Sequence, residues 1–412
     1  MLIVQKFGGT SVGSPDRIRR VAARVAAEKR AGNDVVVVVS AMGATTDDLV
    51  SLATQVTAEP RRRHPRELDM LLTAGERITM ALTAMAIRDL GVEAISLTGS
   101  QAAIITDEAH TGARIQEIRA TRVRDELARS CVVIVAGFQG VSRTREVTTL
   151  GRGGSDTTAV GLAAALSADR CDIFTDVEGV FTADPRRVPE ARLIERLDYQ
   201  EMVELATSGA RVMHPRAVEI GGRFGVPIRV LSSFRDGAQT GTLITRVPAA
   251  TMEGLALTGL ASEAGWVRLT LRGLPVGMKP VTELLSRLSE ARVSVDMLVL
   301  ADRADRRRQI QVTVKEDVLE DALPICESMM QGLKGEEIVV QRELSRVTLV
   351  GSGMHGAPGV FARMFEALRE AGVEVQAVGT SSISISALIH TADEDLTLQT
   401  LHATFELGNE AA

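Results

Sequence analysis

The run Val35-Val36-Val37-Val38-Val39 admits few folds. Five β-branched apolar residues in a row leave no polar face, so a strand built from them must be covered on both sides. An open antiparallel sheet alternates apolar and polar residues. A parallel sheet with helices on both faces accepts the unbroken run. Ile3-Val4-Gln5-Lys6-Phe7, 132–138, Ile173-Phe174-Thr175 and Pro227-Ile228-Arg229-Val230-Leu231 read as further strands. Residues 68–90 carry helical periodicity, interrupted by Glu76 and Arg77, a pair that a salt-bridged helix surface would also explain. Strands alternating with helices imply a mostly parallel α/β sheet with ligands at its carboxyl edge.

The loops that follow these strands carry the polar groups. Lys6-Phe7 runs into Gly8-Gly9-Thr10-Ser11-Val12-Gly13, and Ser14-Pro15-Asp16 then starts a helix, with Ser14 as cap and Pro15 at the first helical position. Ser40-Ala41-Met42-Gly43-Ala44-Thr45-Thr46-Asp47 is a second small-residue loop leading into a helix. The third, Gly151-Arg152-Gly153-Gly154-Ser155-Asp156-Thr157-Thr158, follows strand 132–138 across a short polar loop and opens a helix over 157–166. Free backbone N–H groups at such turns suit phosphate or carboxylate. Arg152 adds a fork-shaped donor, and Ser155 and Asp156 stand where caps usually stand. No Gly-Lys-Ser/Thr closes the first loop, so it is not a Walker A motif. Ordinary strand-to-helix turns would give the same local pattern. The two glycine-rich loops, at 8–13 and 151–158, in one domain suggest that phosphate is handled at both ends of a transfer.

A net charge of −6 over 412 residues argues against nucleic acid as the main partner. The runs Arg61-Arg62-Arg63 and Arg306-Arg307-Arg308 read as solvated loops. Cys131, Cys171 and Cys326 are too scattered for a disulfide framework or a zinc site, and the first two read as buried thiols opening strands. No apolar run reaches the roughly 18 residues a membrane helix needs, so a cytoplasmic, soluble protein without a membrane partner is expected. After Ile244 the composition changes, and Pro248-Ala249-Ala250-Thr251 reads as a linker. Beyond it lies an internal repeat. Val267, Leu269 and Gly273 recur as Val347, Leu349 and Gly353, and 290–295 recurs as 370–375, each copy reading strand, turn, helix, strand. A duplicated structural tail without a ligand is the plain alternative.

The chain resembles the aspartokinases. The matching stretches are Lys6-Phe7-Gly8-Gly9-Thr10-Ser11, Leu72-Thr73-Ala74-Gly75-Glu76-Arg77, the loop from Gly151 to Thr158, Phe174-Thr175-Asp176-Val177 and Thr182-Ala183-Asp184-Pro185-Arg186. Five separated motifs in order, over essentially the whole chain, make the resemblance specific. It implies a three-layer αβα amino-acid kinase domain over 1–247 and two βαββαβ ACT modules over 255–340 and 341–408. It also implies transfer of the ATP γ-phosphoryl group to the side-chain carboxylate of L-aspartate, the first step toward lysine, threonine, methionine and isoleucine, with Mg²⁺ bridging the phosphates. A carboxylate of reference pKa ~3.9 is already ionised, so the enzyme has only to align two anions and screen their repulsion.

By the same resemblance Lys6, Gly8, Gly9, Arg152 and Asp156 are catalytic, and Ser40, Thr46, Glu76, Arg152, Gly154 and Ser155 hold aspartate. Lys6, Phe7, Gly8, Gly9, Thr175, Asp176, Phe181, Asp184, Arg186 and Arg211 fall on the nucleotide side. Relatives commonly carry lysine at Arg211 and tyrosine at Phe181, so the charge at 211 keeps its sign and changes its shape. The regulatory positions are Val276, Met278, Lys279, Leu300 and Ala301 in the first module and Met354, Pro358, Gly359, Ser381 and Ser382 in the second. Where threonine- and lysine-inhibited relatives have Asp-Lys-Pro-Gly and a Gln-Asn pair, this chain has Val276-Gly277-Met278-Lys279 and Leu300-Ala301, which implies altered feedback control. The modules imply a homo-oligomer, and some relatives make a separate regulatory subunit from an internal start at the point where this chain has Met252. An amino-acid kinase acting on glutamate or an N-acylated amino acid, and a catalytically silent amino-acid sensor, are the competing readings.

Overall fold

The computed structural model describes residues 1–235, 237, 240–247, 256–352, 354 and 358–409. The linker 248–251, Met252 and Gly353 lie outside them. Two compact units divide the chain: residues 1–181 with 193–252, and residues 182–192 with 253–412.

The first unit runs β1 (Leu2–Phe7), α1 (Pro15–Arg30), β2 (Asp34–Val39), α2 (Thr45–Val56), α3 (Pro60–Arg63), α4 (Pro65–Arg88), β3 (Ala94–Leu97), β4 (Ile104–Thr106), β5 (Ile115–Ile118), α5 (Thr121–Ala128) and β6 (Val132–Ala136). It continues with β7 (Gln139–Ser142), β8 (Val147–Thr149), α6 (Gly154–Leu166), β9 (Arg170–Thr175), β10 (Arg196–Leu197), α7 (Tyr199–Thr207), α8 (Pro215–Phe224), β11 (Ile228–Ser232) and β12 (Thr242–Ile244). Among the described residues one sheet has the order β10-β12-β11-β9-β1-β2-β6-β3, parallel except for β11 against β12. As the valine run requires, Val35 to Val39 are fully buried, with β2 paired to β1 and β6. Alternation along β1 sends Phe7 into the core shared with α1 and α4, while Lys6 meets Asp156 of α6. The sheet is thus the middle of three layers. Ser14 caps α1 as read, accepting from the Arg17 N–H at 3.3 Å.

Several local expectations are corrected. The polar loop after 132–138 contains the hairpin β7–β8, part of a second sheet ordered β5-β4-β7-β8. The strand ends at Ala136, and Phe138, at φ +65°, lies in the bend that leads into β7. Helix α6 starts at Gly154 with Gly153 as its cap, so Ser155 and Asp156 sit inside the first turn. Cys131 is only half-buried, whereas Cys171 and Cys326 are buried. Arg307 and Arg308 belong to a strand and bond to the Gly273 and Gly277 carbonyls, while the exposed Arg61 to Arg63 form the single turn of α3. By length and apolarity alone α4 would span a membrane, but half of it is buried within this unit.

The second unit runs β13 (Ala256–Pro275), α9 (Lys279–Glu290), β14 (Leu298–Asp302), β15 (Arg307–Lys315), α10 (Leu319–Leu333), β16 (Glu337–Ser352), α11 (Pro358–Glu370), β17 (Val375–Thr380), β18 (Ser384–His390) and α12 (Glu394–Thr404). One sheet, β14-β15-β13-β16-β18-β17, holds both repeats. The long strands β13 and β16 are antiparallel along their lengths. The half of β13 from Trp266 onward joins β15 and the first half of β16, whereas Ala256–Ala264 pairs with Ser345–Ser352. Each repeat therefore completes its sheet with a strand from the other, and boundaries drawn at 340 and 341 cut through a shared strand.

Candidate active site

Four segments of the first unit converge at the carboxyl ends of β1, β2 and β6. Lys6 Nζ lies 2.7 Å from Asp156 Oδ1, both side chains nearly buried. Gly9 packs tightly, because a Cβ there would stand 3.0 Å from the Ala41 carbonyl oxygen and 3.2 Å from that of Gly43. That close approach is locked by the Gly43 N–H donating to the Gly9 oxygen at 3.0 Å. Ser40 Oγ donates to Ser155 Oγ at 3.0 Å. Glu76, from the middle of α4, is 3% exposed, and its Oε1 accepts the Ala41 N–H at 3.1 Å. Lys6, Gly8, Gly9, Ser40, Glu76, Ser155 and Asp156 are thus one connected set.

Glu76 is not the surface residue that its pairing with Arg77 allowed. Its Oε2 is buried without a hydrogen-bond partner, and burial pushes the carboxyl up to about 7 despite the Ala41 N–H. A buried half-satisfied carboxylate is costly, so the site suits a cation arriving with a ligand. Arg152 is exposed between Gly151 and Gly153, and no bond to it exists among the described residues. Gly153 is obligatory for a close contact, since a Cβ there would overlap the His214 Cβ at 2.2 Å and its ring Cγ at 2.3 Å. Thr46 is half-buried in the first turn of α2.

The nucleotide-side residues divide. Phe7 stacks on Phe174 with centroids 4.7 Å apart, and the Gly8 N–H donates to the Phe174 oxygen. Thr175 ends β9, its Oγ1 donating to Asp176 at 3.1 Å, and Ser233 N–H donates to the Thr175 oxygen. Arg211 is exposed in the turn after α7. Phe181 bridges Leu193, and between them the chain leaves this unit. Asp184 and Arg186 lie on that excursion, where the Arg186 guanidinium bonds Asp184 at 2.7 Å and holds its carboxyl below the usual range. Those two therefore belong to the second unit.

In the regulatory half, Val276 and Met278 are exposed, as is all of β14 with Leu300 and Ala301. Lys279 is the first residue of α9. Met354 is buried, Gly359 stands in the first turn of α11, and Ser381 Oγ pairs with Ser384 Oγ at 2.8 Å beside exposed Ser382. Pro358 begins α11.

The amino acid kinase family profile matches residues 1–232, and an ACT domain profile matches 347–405. The aspartokinase of Bacillus sp. (strain MGA3) is 46% identical over 411 residues, covering 100% of this chain and 98% of its own length. That of Mycolicibacterium smegmatis is 46% identical over 413 residues, 99% of this chain and 97% of its own. The chain belongs to the aspartokinases. Among solved structures, E. coli aspartokinase III in complex with aspartate and ADP (R-state) superposes with a TM-score of 0.82 at 27% identity, covering 98% of this chain and 100% of that one. As an aspartokinase this is an ATP-dependent kinase acting on aspartate, with ACT regulatory modules, and it serves amino-acid biosynthesis.

The motifs left some neighbours of the site unseen. Asp69, fully buried on α4, His110, and Arg216 of α8 all touch the segments flanking the Arg152 loop. Asp69 and Glu76 are seven residues apart, two turns on one helix face, and that register was the available signal.

Proposed function

We propose that Glu76 receives the α-ammonium group of L-aspartate and Arg152 clamps a carboxylate, with Ser40, Thr46, Gly154 and Ser155 completing the acceptor site. The carrying observation is the unpartnered buried oxygen of Glu76, linked through Ala41, Ser40 and Ser155 to the Lys6–Asp156 pair. Lys6, freed from Asp156 by the incoming phosphates, then lies against the transferring phosphoryl group, and Gly8 and Gly9 offer backbone donors at close range. Phe7, Thr175, Asp176, Phe181, Asp184, Arg186 and Arg211 serve the nucleotide. No general base is required, because the acceptor is already an anion.

Mg²⁺ fits this arrangement as a companion of the phosphates. Among the described residues no cluster of three or more His, Cys, Asp or Glu could cage a metal, and Mg²⁺ ordinarily takes one or two carboxylates plus substrate phosphates. Asp156 is the carboxylate that would share it, and the ion supplies charge screening when bound. The phosphorylated product feeds lysine, threonine, methionine and isoleucine formation in the cytoplasm. ACT modules with apolar Val276, Met278, Leu300 and Ala301 hold a homo-oligomer together and answer weakly to threonine with lysine. A shorter subunit starting at Met252 accompanies the full chain.

A coupled ADP-release assay with aspartate, glutamate and N-acetylglutamate tests the acceptor, paired with E76Q. Turnover with aspartate alone, and an E76Q variant whose loss falls on the aspartate KM, are expected. An unchanged aspartate KM in folded E76Q would overturn the ammonium assignment.

A further inference from the structure

Asp69 is buried deep in α4, yet the donors it accepts come from outside that helix, from the end of β8 and from the 110–111 turn. Thr149 gives its N–H at 3.2 Å and its hydroxyl at 2.5 Å. The Thr111 N–H lies 3.1 Å from both carboxylate oxygens, and His110 Nδ1 lies 2.8 Å from Oδ2. Charge-assisted bonds of this kind are the strong ones, and a carboxylate is buried only with such a set around it.

Those two segments also fix the backbone that leads into Arg152, over 149–151. Thr149 is three residues before it, and the Ala113 N–H donates to the Thr149 oxygen at 2.8 Å. A Cβ at Gly151 would stand 3.2 Å from the Thr111 oxygen, so the 111–113 loop lies directly along the turn. From the other side Arg216 donates to the Leu150 oxygen at 2.8 Å and the Ala113 oxygen at 3.0 Å. Arg152 itself is exposed with no bond of its own among the described residues. Its place depends on the backbone beneath it. Asp69 stands two turns along α4 from Glu76, so one rigid helix sets the position of both ends of the acceptor site.

We propose that Asp69 is a positioning residue for aspartate: through Thr149 and the 110–111 turn it holds the loop that presents Arg152 to the substrate carboxylate. This rests on Arg152 being that clamp. Small misplacements of a positioning group cost binding and rate although the group never touches substrate.

The experiment uses the full chain and measures the aspartate KM, ATP KM, kcat and melting temperature of D69N, T149V, T149S, R152A and T149V/R152A. T149V is expected to raise the aspartate KM about tenfold while the ATP KM stays within about twofold. T149S, which keeps the hydroxyl, recovers most of that loss, and D69N exceeds T149V. In the R152A background T149V adds less than about twofold, because both act through one side chain. If D69N fails to fold, the Thr149 pair decides alone. A T149V that lowers only the melting temperature, or that adds its full effect on top of R152A, overturns the proposal and shows Asp69 to be a structural tie. An R152A variant with unchanged aspartate KM instead overturns the clamp assignment, and this inference with it.

Discussion

Lys6 and Glu76 are the residues whose chemistry the site leaves least freedom. Lys6 is held by Asp156 at 2.7 Å and almost buried, so it is aimed before any ligand arrives. Removing one preorganised cation of this kind costs about 10²–10³ in rate. K6A should therefore lose turnover to that extent while still folding, at a lower melting temperature because Asp156 loses its cation, and near-normal turnover in a folded K6A protein would remove Lys6 from catalysis. Glu76 carries a pH signature. Burial raises its carboxyl from 4.5 to about 7. Below that value the free enzyme holds Glu76 neutral and cannot pair it with an ammonium. Aspartate kcat/KM should then fall as pH drops through about 7, a limb that E76Q lacks. The stability sign is opposite. A raised acid pKa penalises the charged fold, so the penalty grows from pH 4.5 to about 7 and persists above it. E76Q should stabilise the protein at pH 8 by at most roughly 3 kcal/mol, with little effect at pH 4. A melting-temperature difference that fails to grow across that interval would contradict the burial argument.

At the level of elements, what periodicity and loop chemistry encode is what the sequence made legible. The valine strand, the Ser14-Pro15 helix start and the glycine turns follow from side-chain sterics within a few residues, and each stands where it was read. The hairpin β7–β8 did not announce itself, because its polar residues are buried by partners distant in sequence, as Thr148 is by Thr106 at 2.6 Å. Asp69 was hidden for the same reason. The shared strands β13 and β16 were also illegible, since an internal repeat shows that two copies exist and not that they exchange edges. That exchange bears on regulation. Trp266 sits where the pairing passes from one repeat to the other, with Lys315 Nζ 3.9 Å and the Arg346 guanidinium 4.8 Å from its ring centroid. A ligand that shifts β15 or β16 should change its fluorescence. The apolar Val276, Met278 and Leu300 offer an amino acid's charges no partner. Threonine with lysine is expected to give weak inhibition or none and no Trp266 response. Strong cooperative inhibition with a matching emission change would show that the modules keep a polar effector site.

At the scale of the whole chain, the two units are not consecutive pieces. Residues 182–192 leave the kinase unit at the Phe181–Leu193 bridge and join the core of the second, where Ala183 and Val188 pack with Val347, Met364 and Leu401. The excursion lies along α12. Thr182 Oγ1 is 3.0 Å from His402 Nε2, Gln399 donates to the Arg187 oxygen at 3.0 Å, and Arg192 donates to the Leu407 oxygen at 3.1 Å. Arg187 pairs with Asp395 and Glu394 and donates to Ser262. Burial tends to raise the Glu394 carboxyl, but bonds from Arg187, Ser262 and Ser345 outweigh it and hold the group below its ordinary value. Glu394 thus contributes stability above the unfolded carboxylate pKa, which is lost as pH falls through the lowered folded value. R187A leaves that nearly buried carboxylate without its cation and should cost about 2–3 kcal/mol. It should also flatten the acid limb of the stability curve, where the wild type falls fastest. The same excursion predicts the fate of a truncated protein. A chain ending at residue 247 keeps 182–192 but loses every partner it packs against, leaving Ala183 and Val188 in water and the Asp184-Pro185-Arg186 turn without support. Expressed alone, 1–247 is expected to aggregate or to melt without a cooperative transition. A soluble 1–247 with a sharp transition and full kinase activity would show that the excursion holds its shape unaided.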